Sequence, residues 1–207
     1  MTRMRIITRT LTAAALLAAT SCSSTVRTGN SPVFLVIDNL AGIRGNTTPG
    51  QPSAFLISDV LTLVTTGSSC TPTSPCPTIF GDSGQATLEL AKKDVTSTAA
   101  PTTNNQVTIT RVHIHYRPAN GSAPVIGVNV PADIDTFSTA TVPAAGTVTI
   151  SFELVRVDAK LTSPLIQLRG GGQIDAVADV TLSGTDQVGN AISATGSIAI
   201  QFGDWGE

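Results

Sequence analysis

Two histidines, one unusual serine and a scatter of aspartates carry most of the reactive chemistry available to this 207-residue chain. His113 and His115 stand two apart in HIHY, so a strand sets both imidazoles on one face. Two imidazoles so placed begin a zinc or copper site. A third ligand would have to come from Glu89, Glu153 or an Asp, because the chain has no other histidine. Their parity opposes that of Val112, Ile114 and Tyr116, which points them to solvent, and no metal site is expected. Ser83 lies in GDSGQ, Gly81 to Gln85. A serine nucleophile needs a base within hydrogen-bond reach, and the stretch reads instead as a Gly-Asp-Ser-Gly turn between strands. Asp133 and Asp135 in PADIDTF, with Asp186 in the final turn, offer the carboxylates that calcium takes. The EF-hand spacing is absent, and these read as ordinary turn aspartates. Gly170-Gly171-Gly172 is followed by neither Lys-Ser/Thr nor a helix, so it is not a phosphate loop. Trp205 in FGDWGE reads as an aromatic packed over one end of the fold. No catalytic residue and no cofactor is expected.

The three cysteines bear on compartment. Arg3, Arg5 and Arg9 form a positive start, Leu11 to Ala19 is a short apolar run, and small residues follow it. That layout is a secretory signal peptide over residues 1–21. The run is well short of the ~18 residues that span a bilayer. Ala19-Thr20-Ser21-Cys22 resembles the bacterial lipoprotein processing box, in which small residues precede a cysteine that is lipidated and becomes residue one. That family prefers Leu at the third place before Cys, where this chain has Ala19. The resemblance implies a membrane anchor at Cys22 and a cell-envelope location. Ser23, where Asp resembles an inner-membrane retention signal, leans toward the outer membrane. The alternative is cleavage near Ala18 or Ser21, leaving a periplasmic or extracellular protein with a spare thiol. Cys70 and Cys76 lie in SSCTPTSPCPT, five residues apart, with no histidine close in sequence, which is not the usual zinc pattern. An odd cysteine in an exported chain needs an explanation. If Cys22 carries lipid, Cys70 and Cys76 pair in a disulfide without remainder.

Removing Arg3, Arg5 and Arg9 leaves nine basic against fourteen acidic residues, a net charge of about −5. No basic cluster exists, so a nucleic-acid partner is not expected. Only 13% of the chain is charged, and it is too apolar and too regularly patterned for disorder. Its wealth of Thr and Val suits exported β-structure.

These residues must be positioned by strands. Ser23 to Ser31 is polar and aperiodic, which places a flexible tether over residues 22–32. VFLVI (Val33–Ile37) and FLISDVLTLV (Phe55–Val64) are the first two expected strands. Ala86, Leu88 and Leu90 share a face. Val107 and Ile109 share one parity, and Val112, Ile114 and Tyr116 the other, so a β-bulge is expected near Thr110 and Arg111. TVTISFEL puts Val148, Ile150, Phe152 and Leu154 on one face. IDAVADVTL and ISATGSIAIQF flank SGTDQVGNA and form an antiparallel hairpin. Only SPLIQL (Ser163–Leu168) looks like a helical turn. Many short alternating strands predict an all-β fold, an antiparallel Ig-like β-sandwich elaborated into a single domain over residues 33–207.

Two further resemblances bear on function. GTDQVGNAISATG resembles the turn-and-strand signature of bacterial immunoglobulin-like repeats, over about a dozen residues. SPVFLVIDNLAGIRG with the FGDWG end is similar to uncharacterised secreted proteins of environmental bacteria. Both imply an Ig-like shape without an assigned activity. GDSGQ resembles the nucleophile motif of chymotrypsin-like serine proteases. That pattern continues with Gly where this chain has Gln85, and its His and Asp precede the serine, whereas His113 and His115 follow Ser83. The expectation is a non-enzymatic, exported, lipid-anchored envelope protein with a structural, adhesive, or protein- or glycan-binding role. The alternatives are a metal-binding or enzymatic envelope protein using His113 and His115, and a surface-filament subunit.

Overall fold

The computed structural model describes residues 31–205 apart from 48, 49, 68 and 99. The signal-peptide reading, the Cys22 anchor and most of the 22–32 tether lie outside the described residues. In chain order the strands are β1 (Val33–Ile43), β2 (Phe55–Asp59), β3 (Thr62–Val64), β4 (Cys76–Thr78), β5 (Asp82–Lys92), β6 (Val107–Pro118), β7 (Ile134–Val142), β8 (Thr147–Val155), β9 (Gln173–Asp186) and β10 (Ala191–Gly203). One helical turn, α1 (Val157–Lys160), and two 3₁₀ turns, Thr103–Asn105 and Leu165–Leu168, interrupt them. Strand accounts for 56% and helix for 6%, so the fold is all-β.

The strands form a three-stranded sheet, β1-β5-β8, a five-stranded sheet, β2-β10-β9-β6-β7, and a small β3-β4 ribbon. The smaller sheet is antiparallel throughout. The larger one is mixed, because β2 runs parallel to β10, which corrects the purely antiparallel expectation. The larger sheet curls into a half-barrel. Inward side chains of both sheets, including Leu35, Leu88, Phe152 and Leu154 from one and Ile109, Ile114, Leu182, Ile200 and Phe202 from the other, join one cluster. Each fully buried side chain of this kind contributes about 1.5–3 kcal/mol. Tyr116 ties the sheets together: its ring meets Phe202 edge-on at 6.4 Å, and its buried hydroxyl donates to the Leu154 carbonyl.

The strand periodicity is realised closely. Val107, Ile109, Val112, Ile114 and Tyr116 are all buried. The parity switch is a bulge between Ile109 and Arg111, irregular against both β7 and β9. Three expectations need correction. The Phe55–Val64 strand breaks in two, because the Asp59 carboxylate turns the chain by accepting from the Leu61 N–H at 3.3 Å and the Thr62 hydroxyl at 3.0 Å. GDSGQ is not a turn; from Asp82 onward it is the start of β5. Gly84 is needed there, because a Cβ would lie 2.3 Å from the Phe152 ring. The fold also begins before Val33. Ser31 is buried, its hydroxyl oxygen accepts from the Val33 N–H at 3.5 Å, and the Pro32 carbonyl accepts from the Lys93 N–H.

Strand β7 was not foreseen. Its inward positions between Ile134 and Val142 are Thr136, Ser138 and Ala140, which show no apolar alternation. Nor does periodicity mark the buried ion pair at one end of the sheets. The Lys160 ammonium, at 1% exposure, lies 2.7 Å from Asp82 Oδ2 and donates to the carbonyls of Asp59 (2.8 Å) and Phe80 (2.7 Å). All three ammonium protons are thereby used. Asp82 in turn accepts from the Ser58 hydroxyl at 2.6 Å and the Gly45 N–H at 2.9 Å. Burial pulls the Lys160 pKa below its ordinary value, and the neighbouring Asp82 charge resists that pull.

Cys70, in the loop between β3 and β4, and Cys76, the first residue of β4, are joined in a disulfide.

Lys160→Met leaves Asp82 buried and uncompensated, so urea unfolding should show a loss of about 3–5 kcal/mol. Adding Asp82→Leu to that variant should restore part of it, since the pair can be replaced by apolar groups at smaller cost than it can be halved. Reducing the disulfide should lower stability by about 2 kcal/mol in the chain-entropy picture, leaving a cooperative melt. Rapid thiol labelling of the native, unreduced protein at Cys70 and Cys76 would contradict the bridge.

Candidate functional site

The outer face of β7, β6 and β9 carries a row of charged side chains and both histidines. Because Val112, Ile114, Tyr116 and Pro118 of β6 are buried, Arg111, His113, His115 and Arg117 emerge on the other side. Register sets Asp135 of β7 opposite His113, and Asp179 and Thr181 of β9 opposite His115 and His113. Each charged group on this face has a partner. Arg111 Nε donates to Asp135 Oδ1 at 2.6 Å. His115 Nδ1 meets both oxygens of Asp133 at 2.9 and 3.1 Å. Arg117 Nε donates to Asp179 Oδ2 at 2.8 Å, and the Ser197 hydroxyl of β10 donates to Asp179 Oδ1 at 2.6 Å. His113 Nδ1 comes within 3.3 Å of Asp135 Oδ1 without a hydrogen bond, that oxygen being aligned on Arg111.

These contacts set the electrostatics. The hydrogen bond from Arg111, aided by its charge, holds the Asp135 carboxyl below the usual range, and the same contact raises the Arg111 pKa. For Asp179, burial works upward but is outweighed by the bonds from Arg117 and Ser197, so it too lies low. A carboxylate accepts only, so His115 carries its proton on Nδ1 when neutral and presents Nε2 as an acceptor. The face is therefore a row of paired, solvent-facing charges. At its margin, on the edge strand β7, stands Phe137, opposite Arg111 and 91% exposed.

The expected site residues are dispersed. Ser83 is exposed on the smaller sheet, while both histidines lie on the outer face of the larger one. Asp133 and Asp135 are engaged by His115 and Arg111; the expectation of simple turn chemistry fails for Asp135, which lies within β7. Asp186 lies at the opposite end of β6, beside Val107. Its carboxylate closes the β9-β10 turn, accepting from the N–H groups of Val188 (3.1 Å) and Asn190 (2.8 Å) and from the Asn190 amide (2.9 Å). Gly189 takes φ +89° there, a conformation that favours glycine. The Asp-x-x-Gly-Asn stretch is thus a self-capping turn. Among the described residues, no three His, Cys, Asp or Glu side chains are grouped as metal ligands. The Gly170–Gly172 run is a positive-φ turn, with the Gly170 N–H donating to Asp204. Trp205 is half-buried against Gly203, and its backbone N–H meets Asp59 Oδ1 at 3.4 Å. Phe137 is the residue that sequence reasoning passed over, although its parity with Asp135 was the available sign.

No family model, curated protein or solved structure matches this chain.

Asp135, Asp179 and Asp186 all have pKa values below the ordinary 3.8. A carboxyl depressed on folding stabilises above its unfolded pKa, and that contribution is lost as pH falls through the folded one. Stability should therefore hold from neutrality to about pH 5 and decline below about pH 4. Asp186→Asn should flatten part of that acid limb in denaturant titrations. An identical limb would remove Asp186 from the account.

Proposed function

We propose that this chain is an exported, lipid-anchored envelope protein whose Ig-like β-sandwich binds a protein or glycan partner through the outer face of its larger sheet. The strand order supports the Ig-like reading. β1-β5-β8 faces β2-β10-β9-β6-β7, and consecutive strands are divided between the layers much as such sandwiches divide them. The Cys70–Cys76 disulfide supports an oxidising compartment. The observation that carries the binding role is Phe137. An aromatic ring left 91% exposed, beside the bulge on β7, has no part in the core. Aromatic and Arg side chains are the groups on which binding energy concentrates. Here the ring stands beside Arg111, whose guanidinium is bonded to Asp135.

Phe137→Ala should leave the melting temperature within a few degrees of wild type, since exposed substitutions cost under about 0.5 kcal/mol. It should also reduce recovery of the wild-type partner set from envelope extract or a glycan array at least tenfold. Equal recovery would refute the face. Cys22→Ala should move the protein from the membrane to the soluble fraction, because a lipidated N-terminus supplies the multiple acyl chains that stable anchoring requires. Unchanged fractionation would refute the anchor.

A further inference from the structure

Strand β10 is paired unevenly along its length. On one side β9 accompanies it from Ala191 to Gly203. On the other, β2 covers only Ala199 to Gly203. Among the described residues no strand pairs with the outer edge of residues 191–198, so alternate backbone N–H and C=O groups there lack a ladder partner. Near this edge, residues of β1, β9 and the start of β10, together with Lys93, border an open cleft of about 480 Å³.

Sheet edges are ordinarily guarded by charge, proline, bulges or brevity. The other edge strands here carry such guards. β1 has a register shift at Asp38, β2 is five residues long, β7 is irregular opposite the β6 bulge and carries Asp135, and β8 carries Glu153. From Ala191 to Gly203 there is no charged residue and no proline.

We propose that this free edge is the seat of a second copy of the chain, the two β10 strands pairing antiparallel across a two-fold axis at Thr195. Antiparallel partners share a face only in a register that keeps parity. Centring on Thr195 does so. It sets Thr195 opposite its own copy, Ser193 opposite Ser197 on the outer face, and Ile192 opposite Ile198 and Ala194 opposite Gly196 on the inner face. Thr–Thr and aliphatic cross-strand pairs are favourable, and no like charges meet. The outer-face Thr pairing continues one already present, since Thr181 and Thr195 hydroxyls lie 2.8 Å apart. The ladder uses residues 192–198 and stops where β2 begins. The contact is isologous and closes on itself, so it gives a dimer with a ten-stranded sheet rather than a filament.

The test uses the chain carrying Cys22→Ala, so that Cys70 and Cys76 are its only remaining cysteines. Light scattering should give twice the monomer mass at high concentration. Adding Thr195→Cys should give an intermolecular disulfide on mild oxidation, because directly opposed residues hold Cβ atoms about 4.5–5.5 Å apart. Thr149→Cys, on the outer face of the smaller sheet, should not. Thr195→Lys should weaken the dimer at least tenfold at low salt by opposing two ammonium groups, with recovery on raising the salt. A monomer at every concentration, equal cross-linking at both positions, or an undiminished Thr195→Lys dimer would each overturn the proposal. The first would follow if residues 23–30 of the same chain occupied the edge.

Discussion

The buried Lys160 ammonium is the constraint around which one end of this molecule is organised. A charge taken out of water is tolerable only if every proton finds an acceptor. Lys160 finds its three on two stretches of chain: the Phe80 carbonyl and Asp82 carboxylate where β5 starts, and the Asp59 carbonyl where β2 ends. Asp82 then reaches Ser58 in β2 and the N–H of Gly45 beyond β1. One ion pair therefore fixes the smaller sheet, the larger sheet and the β8-β9 connection relative to one another. It also accounts for local breaks. The carbonyl of Asp59 serves Lys160 while its carboxylate turns the chain into β3, so β2 ends there.

Above that end, apolar burial takes over. The inward faces of both sheets meet in one cluster, with Tyr116 spanning them. A side chain that buries a ring and satisfies its hydroxyl contributes area without leaving an unpaired donor. The same registers that bury Val112, Ile114 and Tyr116 compel Arg111, His113, His115 and Arg117 outward. The charged face is thus a by-product of core packing on β6, paired by aspartates that β7, β9 and the adjoining loop bring to it. Phe137 has no such explanation from packing, which is why it carries the functional reading.

The two proposed surfaces of the larger sheet do not overlap. The β7 side presents charge and an aromatic ring. The β10 side presents an uncharged backbone edge. Pairing through β10 would leave the charged faces of both copies exposed, so the two proposals call on different residues.

Much of the fold was legible in the chain. Period-two burial exposes itself wherever one face is apolar and the other polar, so β5, β6, β8, β9 and β10 could be read directly, bulge included. The turn at Asp186 was legible because its chemistry is local. What escaped was whatever depended on distant partners. β7 has small or polar inward residues and is a strand because β6 lies beside it. β2 joins the last strand in parallel because the chain after β1 crosses to the other sheet, and no local pattern encodes that crossing. Lys160 and Asp82 look like ordinary surface charges in sequence. Only the tertiary structure removes both from water together, because an ion pair's worth depends on the dielectric around it, which no single segment determines.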